Sequence, residues 1–178
     1  MVGEDIEMKY RIVDLDGTLI QLQTDWPKVK DWVAKQIKPL GFKYDKKIGL
    51  DENLFAVKAA NPGRFNFLMK SLGALEQEGL EKAPVNQQLI AELKGQKWAL
   101  LTLNVRSTAL AAMALMDLKP DLIISKEDVK APKPDPDGAL QILRKMNWPA
   151  EETVFLGDSE RDEGCAKGAG IQFIRVKF

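Results

Sequence analysis

Five short apolar runs, at residues 10–15, 98–103, 121–125, 153–156 and 172–176, punctuate this chain of 178 residues. Each is rich in Val, Ile, Leu or Phe, as strands buried on both faces are. Helical spacing fills much of what lies between them. Strands alternating with helices make a parallel sheet covered on both sides. The expected fold is therefore α/β, a doubly wound, mostly parallel, five-stranded sheet. A chain of this length can bury one such core and a small insertion besides. Among the later runs, Ser107 is placed to cap a helix over 108–116 with Leu110, Met113 and Ala114 on one face. Residues 137–146 bring Leu140, Leu143 and Met146 together, and a helix over 161–169 stops at Gly170.

The stretch between the first two runs breaks this rhythm. Residues 21–81 are too many for one crossover helix and contain no clear strand. Pro27 starts a helix with Val29, Val33 and Ile37 at four-residue spacing, stopped by Pro39-Leu40-Gly41. A second helix is expected over 52–60, ended by Asn61-Pro62-Gly63. A third, over 64–75, has Phe65, Leu68, Met69 and Leu72 on one stripe, which reads as the core of a small bundle. A helix over 84–94 returns the chain to the sheet. The expected division is a core domain of residues 9–20 and 82–178 with a helical insertion of residues 21–81.

Composition narrows the chemistry. Lys and Arg number 26 and Asp and Glu 26, so net charge gives no reason to expect nucleic acid or an anionic membrane as partner. One cysteine, Cys165, excludes an internal disulfide and a multi-cysteine zinc site. No window is apolar enough to span a membrane, and residues 1–9 are acidic and polar, unlike a signal peptide, so a cytoplasmic location is expected. The chain has no histidine. That removes Ser-His-Asp and Cys-His hydrolysis and His-ligated metals. Acid–base work falls to carboxylates, lysines or tyrosines, and any metal must be a hard cation such as Mg²⁺.

The first run ends in Asp14-Leu15-Asp16-Gly17-Thr18. On a strand, residues i and i+2 face the same way, so Asp14 and Asp16 address one volume if the strand persists. Gly17 permits a sharp bend beyond them. Two such carboxylates repel unless a metal or a proton is shared. An ordinary acidic turn accounts for these five residues equally well. Open parallel sheets bind ligands beyond the carboxyl ends of their strands. Thr102 ends the second run, with Asn104 two residues on; Gly157-Asp158-Ser159-Glu160-Arg161-Asp162 follows the fourth. Lys133 sits in the stiff loop Ala131-Pro132-Lys133-Pro134-Asp135-Pro136. Singly, these are a strand threonine, a solvated loop and a helix cap. Those readings leave unexplained why every one falls at the same edge of the sheet.

In this order, Asp14-Leu15-Asp16-Gly17-Thr18, Thr102, Lys133-Pro134-Asp135-Pro136 and the 157–162 segment resemble the four motifs of the haloacid dehalogenase-like hydrolase superfamily. Residues 157–170 are similar to its phosphoglycolate-phosphatase-like branch. The resemblance implies a Rossmann-like sheet with a small helical cap inserted after the first strand, where residues 21–81 lie. The second acidic residue of the first motif resembles the superfamily's phosphatases and phosphomutases. Two departures stand out: Leu103 separates Thr102 from Asn104, and Glu163-Gly164-Cys165 is more polar and flexible than the usual apolar start.

The resemblance also implies a chemistry. Asp14 is the expected nucleophile, forming an aspartyl-phosphate. Asp16 is the expected general acid and base. Mg²⁺ is expected on Asp14, the Asp16 carbonyl and Asp158, with Asp162 holding either Lys133 or a metal-bound water. Thr102 and Lys133 are expected to bind the phosphoryl oxygens. Asn104, with Arg64 and Arg106, is expected to contact substrate, or the two arginines are simply solvated. The implied function is a magnesium-dependent phosphatase of a small phosphorylated metabolite, a monomer or homodimer. A phosphosugar mutase and a non-catalytic binding or regulatory module stay open beside it.

Overall fold

A computed structural model describes residues 8–178; residues 1–7, most of the polar opening read above as unlike a signal peptide, lie outside the described residues. In chain order the elements are β1 (Tyr10–Val13), α1 (Trp26–Ile37), α2 (Leu50–Ala60), α3 (Pro62–Gln77), α4 (Gln87–Leu93), β2 (Lys97–Leu101) and α5 (Arg106–Leu115). They continue with β3 (Leu122–Ile124), α6 (Asp137–Met146), β4 (Thr153–Gly157), α7 (Glu160–Gly168) and β5 (Gln172–Arg175). The five strands form one sheet in the order β3-β2-β1-β4-β5. Every pairing is parallel, with Val13 beside Leu100 on one side and Leu156 on the other.

The central strands are largely apolar because both faces are covered. Val13, Trp98, Leu100, Val154 and Leu156 pack with Leu89, Ile90 and Leu93 of α4 and Ala109, Ala112 and Met113 of α5. The alternate residues Ile12, Ala99, Leu101 and Phe155 pack with Ala139 and Ile142 of α6 and Cys165 and Ala166 of α7. This is the period of two expected of a strand, applied to two cores at once. A third core lies among the inserted helices: Val29, Val33 and Ile37 of α1 meet Leu54 and Val57 of α2 and Phe65, Leu68 and Leu72 of α3. Val105, just before α5, joins that cluster and ties it to the sheet. Among the described residues, no helix is long and apolar enough to cross a membrane.

Local chemistry explains where the expected elements shift. α3 begins at Pro62, two residues before the expected start. Proline suits a first helical turn, and the Asn61 side chain accepts from Arg64 N–H at 3.0 Å. α4 starts late because Val85 is drawn into a bridge with Ile20, and Asn86 then caps the helix. α5 corrects the sequence reading most. Ser107 lies inside it and caps nothing, because two carboxylates from elsewhere do that work. Glu127 accepts from Arg106 N–H at 3.0 Å, and Glu76 of α3 accepts from Val105 N–H at 2.9 Å. The buried face is accordingly Thr108, Ala109, Ala112 and Met113, and Leu110 is left 52% exposed.

The contrast between two apolar residues tests this assignment of faces. Phe65→Ala, at a site with 0% exposure, should lower unfolding stability by about 3–5 kcal/mol through lost burial and a residual cavity. Leu110→Ala should stay within about 0.5 kcal/mol of wild type. Urea denaturation midpoints measure both.

Candidate active site

Asp14 extends the line of β1, and its N–H donates to Leu156 O at 3.0 Å. The chain then coils tightly: Leu15 O accepts from the N–H groups of Thr18, Leu19 and Ile20 at 3.3, 2.9 and 3.1 Å. Gly17 stands at φ +88°, and a Cβ there would lie 2.5 Å from Asp158 Oδ2. Only glycine lets this turn close on Asp158. The strand itself ends at Val13, so Asp14 and Asp16 are not strand neighbours on one face. They share a cavity by another route. Asp16 swings toward the insertion, where its Oδ1 accepts from Leu22 N–H at 2.8 Å.

That cavity, about 250 Å³, lies beyond the carboxyl ends of β1, β2 and β4 and is lined by Asp14, Asp16, Thr102, Asn104, Lys133, Asp158 and Asp162, among others. Lys133 is its hub. Its Nζ lies 2.6 Å from Asp14 Oδ1 and 2.5 Å from Asp162 Oδ1, and it donates to Leu101 O at 3.4 Å. All three charged residues are buried. The 131–136 loop that carries Lys133 fits closely on α7. A Cβ at Gly164 would come 2.7 Å from Pro134 Cβ, and one at Gly168 3.1 Å from Pro136 Cβ. The flexible-looking Gly164 is thus the contact that seats the lysine loop.

Asp162 has both oxygens engaged. Beyond its pairing with Lys133, its Oδ2 accepts from Ser159 N–H and Oγ at 3.1 and 2.5 Å, closing the N-terminus of α7. Asp14 Oδ2 and Asp158 Oδ1 instead share one distant donor, the Thr18 hydroxyl, at 3.5 and 3.4 Å. One oxygen each from Asp14, Asp158 and Asp162 lie within 4.8 Å of one another. An all-oxygen cluster of this kind suits a hard divalent cation. Asp14 and Asp158 have the open oxygens, while Asp162 is committed to Lys133 and Ser159. Thr102 Oγ1 donates to Asn104 Oδ1 at 2.9 Å and accepts from Asn104 N–H at 3.0 Å. Asn104 therefore fixes the orientation of Thr102, with Leu103 between them.

Burial shapes the proton affinities. Burial lifts the Asp14 carboxyl to about 7, because its counter-ion Lys133 is shared with Asp162. Burial likewise lifts Asp16 to about 6, aided by the nearby Asp158 charge and opposed by the Leu22 N–H bond. Burial alone would depress the Lys133 ammonium, but Asp14 and Asp162 outweigh it and hold it above the ordinary lysine range.

Two expected substrate contacts fall elsewhere. Arg64, at the start of α3, lies over the Phe67 ring at 4.8 Å, outside the cavity lining. Arg106 is drawn onto Asp128 and Ile123 O and does not line the cavity. The cavity instead receives Lys126 and Arg161. Lys126, 1% exposed, lies 3.0 Å from Asp51 and 3.7 Å from Glu76. Arg161 lies 3.1 Å from Asp51 and 2.6 Å from Glu52. Trp26, Leu50 and Asp51 complete this wall. Lys126 directly follows the end of β3 by two residues, so the carboxyl-end rule applied to that strand would have marked it.

The profile of the family described as haloacid dehalogenase-like hydrolase matches residues 12–176. A relative named pyrophosphatase PpaX, from Caldanaerobacter subterraneus subsp. tengcongensis, is 27% identical over 183 residues, covering 94% of this chain and 80% of that protein. A phosphorylated carbohydrates phosphatase from Thermotoga maritima is 35% identical over 80 residues, covering 44% of this chain and 37% of that protein. The crystal structure of a hydrolase from Pseudomonas syringae superposes with a TM-score of 0.65 at 20% identity, over 93% of this chain and 82% of that one. At that identity the likeness speaks to the fold.

The raised affinity of Asp16 has a consequence for stability. Its folded value of about 6 exceeds the ordinary 3.8, so the folded state binds more protons between those pH values. The burial cost is complete above pH 6 and is relieved as pH falls toward 3.8. Asp16→Asn should therefore raise the stability of the metal-free protein at pH 8 by about 1–2 kcal/mol. The gap to wild type should close as pH is lowered toward 4, read from thermal melts in chelator.

Proposed function

The chain belongs to the haloacid dehalogenase-like hydrolases, and on that footing we propose that it is a magnesium-dependent phosphatase of small phosphorylated metabolites acting through an aspartyl-phosphate. The observation that carries this reading is the buried Asp14 carboxylate, held by Lys133 at 2.6 Å in a cavity that Asp16, Thr102 and Asp158 also line. That set contains a nucleophile, an acid–base group, a hydroxyl and a cation, and needs no histidine.

In this reading Asp14 attacks phosphorus, the bond from phosphorus to the ester oxygen breaks, and Asp16 protonates the departing alkoxide. An Asp16 carboxyl lifted to about 6 can hold that proton near neutral pH. Asp16 then takes a proton from water as the water oxygen attacks the aspartyl-phosphate, and phosphate leaves as Asp14 is restored. Lys133 balances the charge on the phosphoryl oxygens and is held in place by Asp162. Thr102, oriented by Asn104, contacts the same oxygens. Asp14, Asp158 and the Asp16 carbonyl would hold Mg²⁺, which when bound neutralises the anionic phosphate facing an anionic nucleophile. Residues 21–81 act as the cap over this site, with α1 and α2 contributing its outer wall. Both relatives named above carry names of phosphate-ester or pyrophosphate hydrolases, which agrees with this reaction class.

Three results test the proposal. With p-nitrophenyl phosphate, Asp14→Asn should lower kcat by at least about 10⁴-fold and Asp16→Asn by about 10²–10⁴-fold, each with native circular dichroism. Normal turnover by Asp14→Asn would overturn the covalent route. Chelation should abolish turnover and Mg²⁺ restore it, with Ca²⁺ a poor substitute. Release of inorganic phosphate marks a phosphatase; a phosphorylated isomer in its place would mark a mutase.

A further inference from the structure

We propose that the cap side of the cavity selects a phosphate ester whose leaving group is a neutral polyol carrying no second negative charge; this rests on the phosphatase reading above. Outside the proposed catalytic set, the cavity lining includes Trp26, Leu50, Asp51, Lys126 and Arg161. The two cations among these are already neutralised. Lys126 pairs with Asp51 at 3.0 Å and Glu76 at 3.7 Å, and Arg161 pairs with Asp51 at 3.1 Å and Glu52 at 2.6 Å. Three carboxylates thus face two cations. Acceptors are in excess: Glu52 Oε2 and Glu76 Oε1 are buried without a hydrogen bond, the second of them 3.7 Å from Lys126.

A second carboxylate or phosphate on the substrate would meet Asp51 and would have to break an existing ion pair to find a cation. Neither Arg64 nor Arg106 lines the cavity to help it. An ammonium would meet Lys126 and Arg161. A hydroxyl both donates and accepts, so it can donate to Asp51 and accept from Arg161 without disturbing either. Trp26, which also lines the cavity, adds an aromatic side chain with an apolar body and a polar N–H to the same wall. A wall of mixed sign and near balance beside an aromatic ring fits a polyol better than an ion of either sign.

The test uses the full chain with Mg²⁺ and a panel of hexose, pentose and glycerol monophosphates, set against 2-phosphoglycolate, pyrophosphate and phosphoethanolamine, with p-nitrophenyl phosphate as reference. The best polyol phosphate should exceed each charged competitor at least tenfold in kcat/KM. Asp51→Asn, which loosens both cations, should shift the ratio of 2-phosphoglycolate to polyol phosphate by about tenfold toward the anion, mainly through KM. Glu52→Gln removes one of the two carboxylate partners of Arg161, which stays on Asp51, and leaves Lys126 paired; it should move the ratio the same way by a smaller factor, and it decides the matter if Asp51→Asn does not fold. A charged ester equal to or better than every polyol phosphate overturns the inference, as does an unchanged ratio in the folded variants. Failure to hydrolyse even p-nitrophenyl phosphate removes the phosphatase reading and this inference with it.

Discussion

The site depends on one buried ammonium shared by two carboxylates. Lys133 reaches Asp14 and Asp162 at 2.6 and 2.5 Å with all three nearly sealed from water. Taking such charges out of water is costly, and that cost is met only when each partner is held in place. The sheet holds Asp14 through the Leu156 carbonyl. The Ser159 cap holds Asp162. The proline loop, seated on Gly164 and Gly168, holds Lys133. Loosening any one of these supports would leave a buried charge unpaired, so the chemistry and the packing of α7 are a single construction.

Much of this was legible in the residues. The five short apolar runs and the Asp-Leu-Asp-Gly-Thr turn are local patterns, and local patterns survive folding. The four motifs could be placed at one sheet edge because parallel strands all end on the same side. Asp14, Asp16, Thr102, Lys133 and Asp158 do meet in one cavity. The strand did not have to reach Asp16 for this, since the Gly17 turn brings it back.

What escaped the sequence is long-range and electrostatic. The N-terminus of α5 looked as though it needed Ser107, yet it is closed by Glu76 and Glu127, two carboxylates from other parts of the chain. The buried face falls on Ala109 and Ala112 and leaves Leu110 outside. Arg64 and Arg106 read as anion readers by position alone, but Arg64 lies over the Phe67 ring and Arg106 pairs with Asp128. Lys126 and Arg161 occupy the wall instead because Asp51 and Glu52 draw them there. No spacing rule links residue 51 to residues 126 and 161; only the fold does.

The strand order has a consequence for how the molecule comes into being. β1 is made first but sits at the centre, pairing from Tyr10 with Lys97 on one side and Thr153 on the other. As a ribosome extends the chain, this strand waits for both neighbours, and the second of them is made only after β2 and β3. Contacts so distant in sequence form late and slowly. Asp14 thus acquires its surroundings only when β4 has emerged, and until then β1 is a bare edge of the kind that chaperones exist to shield.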